Sequence, residues 1–262
     1  LATIRDMVLK PYGIIFVTGP TGSGKTTSLY SALAERNTPE VNILTAEDPI
    51  EYEMQGITQV QVLREKGLDF ARILRSFLRQ DPDIILVGET RDRETAKIAV
   101  EAALTGHLVF TTLHTNDAPG AVSRLAEMEV DPYLVASATV GVIAQRLLRR
   151  ICMDCKEDYT VDRSVLEYLG LLEKSQERLA DSTVQYFRLK LDESGWPVFS
   201  RGKGCEACNH TGYKNRIGVY EVMKVNDEIR DLICKNATTA MVRLSAKQAG
   251  MIPLKDYSIR LV

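Results

Sequence analysis

The sequence predicts an α/β fold built on a mostly parallel sheet with helices packed on its faces. Short apolar runs alternate with helical patterns from residue 14 to about residue 150, the signature of strands joined by crossover helices. A glycine-rich turn joins the first of these runs to the first helical pattern, which is where such folds place a phosphate site. Beyond residue 150 the chain turns polar and loop-rich between two Cys-x-x-Cys pairs, so a smaller second unit is expected.

The strand candidates are residues 14–18, 41–46, 84–87 and 108–113, and the helices between them are 25–34, 68–80, 93–104 and 118–128. Residues 132–150 are expected to form one long helix. Its last turn carries Arg146, Arg149 and Arg150, read as charge opposing the negative helix end in preference to a nucleic-acid patch. A strand over 218–223 and helices over 227–235 and 238–248 follow. The expected organisation is a core over 1–150, a tetracysteine insert over 151–215, and a C-terminal strand and helices over 216–262 packing on the core. Residues 1–10 suggest an amphipathic helix stopped by Pro11, and the absence of a starting Met suggests a piece missing upstream.

With 262 residues the chain suffices for one large core and a satellite. Lysine and arginine number 33 against 35 acidic residues, so a net charge of −2 offers no global field for nucleic acid. No apolar run approaches the roughly 18 residues of a spanning helix, and no secretory signal is visible.

Gly19, Pro20, Thr21, Gly22, Ser23, Gly24, Lys25, Thr26 and Thr27 fit Gly-x4-Gly-Lys-Ser/Thr between a strand and a helix, and so read as a P-loop for ATP. Backbone N–H groups would cradle the phosphates, Lys25 would reach the β- and γ-phosphates, and the Thr26 hydroxyl would ligate Mg2+. Such a site needs an acid at the end of a neighbouring strand. Glu89 supplies it, although Gly88 stands where an aspartate is common; its rival reading is a helix-start acid near Arg91 and Arg93. Glu47, after the 41–46 strand, is the candidate to hold Mg2+ through its water shell, set against a merely solvated acidic loop. His114 ends the 108–113 strand, where it could sense the γ-phosphate or be an ordinary surface histidine, while His107 precedes that strand. Arg75 and Arg79 lie off the apolar stripe of their helix and fit either trans-acting fingers or a solvated face.

Cys152, Cys155, Cys205 and Cys208 form two knuckles able to close a structural tetrathiolate site for Zn2+, with reduced thiols or redox pairs as the alternative. Cys234 is expected to be a small buried residue.

These motifs together resemble the type II secretion and type IV pilus assembly ATPases, a RecA-like P-loop family. The resemblance rests on Gly19 to Thr27, on Thr45-Ala46-Glu47-Asp48-Pro49-Ile50-Glu51, and on Arg79-Gln80-Asp81-Pro82-Asp83 leading to Gly88-Glu89. It rests also on Thr105 to Asp117 and on Gly204 to Glu221. It implies that Glu89 is catalytic, that Glu47 assists at the metal, and that His107 and His114 serve the nucleotide. It implies too that Arg75, Arg79 and Arg91 belong to interdomain or intersubunit contacts. A homo-hexamer working through a platform protein at the cytoplasmic face of the bacterial inner membrane is implied, with no direct nucleic-acid partner. By resemblance the cysteine module fits pilus-extension and secretion motors and not retraction motors. The ending from Gly250 to Ser258 looks closest to pilus-extension motors, with a type II secretion motor as the alternative and a RecA-like nucleic-acid translocase behind both.

Overall fold

The structure, a computed structural model, describes residues 2–261. In chain order it begins with α1 (Ala2–Val8), β1 (Gly13–Thr18), α2 (Lys25–Arg36), β2 (Ile43–Glu47), β3 (Thr58–Gln61), α3 (Phe70–Phe77), β4 (Ile84–Val87) and α4 (Arg93–Leu104). It continues with β5 (Leu108–Leu113), α5 (Gly120–Glu127), α6 (Pro132–Ala138), β6 (Thr139–Ile151), β7 (Lys156–Thr160), α7 (Arg163–Leu169) and α8 (Asp181–Phe187). The last elements are β8 (Lys190–Leu191), β9 (Pro197–Gly202), β10 (Tyr213–Lys224), α9 (Asp227–Cys234), α10 (Thr239–Gln248) and α11 (Leu254–Ile259). Two compact units result, Leu1–Arg146 with Tyr220–Pro253, and Leu147–Val219 with Leu254–Val262.

The first unit is organised by a sheet of strand order β10-β6-β1-β5-β4-β2-β3. β1 pairs in parallel with β5 and β6, and β4 with β5 and β2, so the carboxyl ends of β1, β5 and β4 lie side by side. Period-2 alternation sends Ile15, Val17, Ile84, Leu86, Leu108 and Phe110 into one cluster with Leu29, Tyr30 and Leu33 of α2. Their neighbours Ile14, Phe16, Ile85 and Val109 are buried as well, so both sheet faces are covered. Each such side chain contributes about 1.5–3 kcal/mol. Asp69 and Asp92 start α3 and α4 by accepting from Arg72 N and Thr95 N, both at 2.8 Å.

Three expectations are corrected. The long helix over 132–150 is instead the seven-residue α6 followed by the strand β6. Asp131 and Pro132 do start a helix, but Thr139-Val140-Gly141-Val142-Ile143 is β-branched and glycine-bearing, and it pairs with β1. Arg146, Arg149 and Arg150 are therefore strand residues, and Arg149 lies 4.0 Å from the centre of the Tyr213 ring. Cys234 is exposed rather than buried, on the outer face of α9.

The second unit is not a coreless loop. Strands β7, β9 and β8 form an antiparallel sheet, and Leu166, Leu171, Leu172, Phe199 and Ile259 are buried together, flanked by Trp196 and Tyr159. Ile259 lies on α11, so residues 254–262 group with this unit and not with the core.

Candidate functional site

β1 is buried along its whole length and delivers the chain to Gly19 at its carboxyl end. Gly24 then takes a left-handed conformation (φ 86°, ψ 19°) at the start of α2, with no side chain capping the helix. The first N–H groups of α2 are thus left for an anion, favoured also by the helix dipole. Lys25 Nζ donates to Gly19 O at 2.9 Å and Pro20 O at 3.0 Å, folding its ammonium over the loop. Burial lowers the Lys25 pKa, an effect opposed by Glu89 and reinforced by Arg146. Ser23 Oγ is buried with no partner among the described residues, a donor facing the loop that a phosphate oxygen would satisfy. These residues fit a triphosphate.

Glu89 stands two residues beyond β4, and His114 one beyond β5. Glu89 Oε1 lies 2.6 Å from His114 Nε2 and 2.5 Å from Arg91 Nε. Burial pushes the Glu89 carboxyl up, but Arg91 and His114 outweigh it and hold it below the usual carboxylate range. The support is a set of threonines: Thr112 Oγ1 donates to Gly88 O at 2.8 Å, and the hydroxyls of Thr90 and Thr111 meet at 2.8 Å. A Cβ added at Gly88 would lie 3.1 Å from Ala46 O and 3.3 Å from Glu47 Cα. The packing of β4 against β2 therefore accounts for glycine where an aspartate is common.

In the second unit, the four Sγ atoms of Cys152, Cys155, Cys205 and Cys208 lie within 4.8 Å of one another. Cys152–Cys205 and Cys155–Cys208 are 3.9 Å apart and Cys205–Cys208 3.8 Å. A tetrahedral site with Zn–S bonds of about 2.3 Å has edges of about 3.8 Å. Gly204 N and Gly212 N donate to Cys155 and Cys208 sulfurs at 3.3 Å, and Cys205 N to Cys208 at 3.2 Å, contacts that support thiolates. The backbone N–H of Cys205 leads in bringing the Cys208 thiol down to about 6, whereas burial leads in pushing Cys155 up to about 12. The donor set fits zinc.

A family model for type II/IV secretion system proteins matches residues 1–257. The chain belongs to that family. The type IV pilus assembly ATPase PilB of Thermus thermophilus is 48% identical over 252 residues, 96% of this chain but 26% of that protein. The type II secretion system ATPase E of Vibrio cholerae is 50% identical over 233 residues, 89% of this chain and 42% of that protein. The chain thus spans less than half the length of either relative. Among solved structures, the pilus retraction motor PilT with bound ADP aligns at a TM-score of 0.61 and 28% identity, over 98% of this chain and 63% of that one.

Within this secretion-family chain the remaining candidates are scattered. Glu47 ends β2 almost fully buried; Tyr30 donates to it, as do Thr45 Oγ1 at 2.5 Å and Gln59 Nε2 at 3.0 Å. Its carboxylate faces α2 rather than open solvent. His107 is at the other end of the sheet: its backbone oxygen accepts from Gly13 N at the start of β1, and its Nδ1 donates to Ala102 O at 2.8 Å. Six strand residues at about 3.3 Å each put it roughly 20 Å from the carboxyl ends, so the nucleotide role expected of His107 is not supported within this chain. Arg75 pairs with Glu94 of α4. Arg79 is exposed next to Gln80 and Asp81, whose carbonyls accept from Asn42 Nδ2 at 2.9 Å just ahead of β2, again at the amino ends of the strands.

Four useful residues were not read from the sequence as part of the site. Gln145 and Arg146 follow Ala144, which pairs with Thr18 beside the P-loop. Gln145 Nε2 donates to Ser23 O at 2.7 Å, and Arg146 to Asn116 O and Oδ1 at 3.2 Å. Reading this segment as helix hid them. Tyr30 carried no motif signal, and Thr115 lay within the motif from Thr105 to Asp117 with no role assigned to it.

Proposed function

We propose that this chain is the ATP-hydrolysing part of a longer hexameric motor that drives type IV pilus assembly from the cytoplasmic face of the inner membrane. The carrying observation is Glu89, whose carboxylate lies within ion-pair distance of Arg91 and His114 at strand ends adjoining the P-loop. Lys25, Ser23 and the first N–H groups of α2 bind the phosphates. Mg2+ would supply charge neutralisation to the transferring phosphoryl group, and Thr26 would hold it, with Glu47 able to act on it only through its water shell. Glu89 takes a proton from the attacking water as the bond to the γ-phosphorus forms and the bond to ADP breaks. His114 reports the γ-phosphate to Glu89. Arg75 and Arg79, remote from Glu89 in their own chain, serve a neighbouring subunit or domain. Zn2+ on the four cysteines is structural, since four thiolates leave no open position. No helix among the described residues is long and apolar enough to cross a membrane; a platform protein is the proposed membrane partner.

A type II secretion motor is the second reading, favoured by the 50% identity to the Vibrio cholerae ATPase. Pilus and secretion assays in a strain carrying Lys25→Ala in the full-length protein separate the two. Pilus loss alone supports the first reading, and secretion loss alone replaces it with the second.

A further inference from the structure

The β1–β5 ladder ends at the pair Thr18–Leu113. Beyond it the two chains part, one into the P-loop at Gly19 and the other into His114. Here the Thr18 side chain, fully buried, takes over from the ladder. Its Oγ1 accepts from Thr115 N at 2.8 Å and lies 2.6 Å from Thr115 Oγ1 and 3.0 Å from Thr115 O.

The protons can be counted. A hydroxyl has one proton and two lone pairs. Thr18 gives its one proton to Thr115, either to O at 3.0 Å or to Oγ1 at 2.6 Å, the latter when Thr115 Oγ1 gives its own proton to Asp117 O at 2.9 Å. Thr18 therefore accepts once from and donates once to the residue after His114. His114 is held on both sides, by the Leu113 ladder bond before it and the Thr18 clamp after it, while its ring meets Glu89.

We propose that Thr18 is a positioning residue that sets the placement of His114 relative to the phosphate cradle. Because Thr18 directly precedes Gly19, a shift of the cradle on binding phosphate moves the clamp, and the clamp moves His114. The proposal rests on the ATP-hydrolysing reading, and goes beyond it by giving a role to a residue that touches neither nucleotide nor water.

Thr18→Val keeps the shape of the side chain and removes both bonds; Thr18→Ser keeps the hydroxyl. The chain has three histidines, so labelled-histidine NMR resolves His114 from His107 and His210. In wild type, Mg2+ with a slowly hydrolysed ATP analogue is expected to shift the His114 ring signals. In Thr18→Val that response is lost and kcat of the full-length assembly falls about tenfold or more, with KM for ATP within about twofold. Thr18→Ser restores both. Thr115→Ala, which removes the hydroxyl contact and keeps the N–H and the carbonyl, gives a smaller loss of the same kind and serves if Thr18→Val does not fold. A wild-type His114 response and kcat in folded Thr18→Val, or in Thr115→Ala if only that variant folds, overturns the proposal; so does a loss of kcat that Thr18→Ser fails to restore. Full turnover in Lys25→Ala would instead defeat the underlying ATPase reading, whatever the threonine variants show.

Discussion

The Tyr30 hydroxyl donates to the Glu47 carboxylate, joining the helix that follows the P-loop to the end of β2. Burial, followed by Glu47 itself, raises the Tyr30 phenol above its ordinary range, so it remains a donor at any working pH. Tyr30 lies four residues after Thr26, on the same face of α2. Tyr30→Phe leaves a buried carboxylate one donor short, which costs about 1–3 kcal/mol in denaturant unfolding. If Glu47 works on the metal's water shell, the variant also needs more Mg2+ for half-maximal turnover in the full-length assembly. Loss of stability with an unchanged Mg2+ requirement would remove Glu47 from the metal.

Glu89→Gln keeps the size of the side chain and removes the base. ATP binding by calorimetry stays near wild type, while turnover of the full-length assembly falls roughly 10²–10⁴-fold. Near-normal turnover would send the search for the base elsewhere.

Arg91 controls the acid side of the rate profile. The depressed Glu89 carboxyl contributes stability in full above the unfolded value of about 4.3, and this is lost as pH falls through the lower folded value. In Arg91→Ala burial is less opposed and the carboxyl rises. The acid limb of kcat/KM is expected to move to higher pH, and an unmoved limb would show that Arg91 does not hold the charge on Glu89.

Elemental analysis should find one zinc per chain, and chelation should loosen the two knuckles. The single Trp196 sits in the second unit's apolar cluster, its Nε1 donating to Val161 O at 2.9 Å. Its emission is expected to change little when metal leaves, while proteolysis increases around residues 204–212. A collapse of the Trp196 signal in step with metal loss would mean that the cluster cannot stand without zinc.

The P-loop, the four parallel strands around it and the place of Glu89 just past a strand end were legible in the sequence because each depends on local pattern: an apolar run, a turn of fixed spacing, a helix start. His107 was not, because a motif gives proximity along the chain while a strand carries its two ends far apart. The β6 segment misled because Asp131-Pro132 is a true helix start, and only pairing with β1 reveals where the helix stops. The small core of the second unit was hidden for a similar reason. Leu166, Phe199 and Ile259 are far apart in sequence and share no period.

Gly88 has a consequence for anyone redesigning this site. With 3.1 Å between a would-be methyl and Ala46 O, the two acidic strand ends leave little room for a side chain at residue 88. Restoring the aspartate common at that position would act first as a wedge. It would press on the backbone at Ala46 and Glu47, which would have to give by a few tenths of an ångström, so residue 88 is a gauge of width more than a vacancy for a ligand.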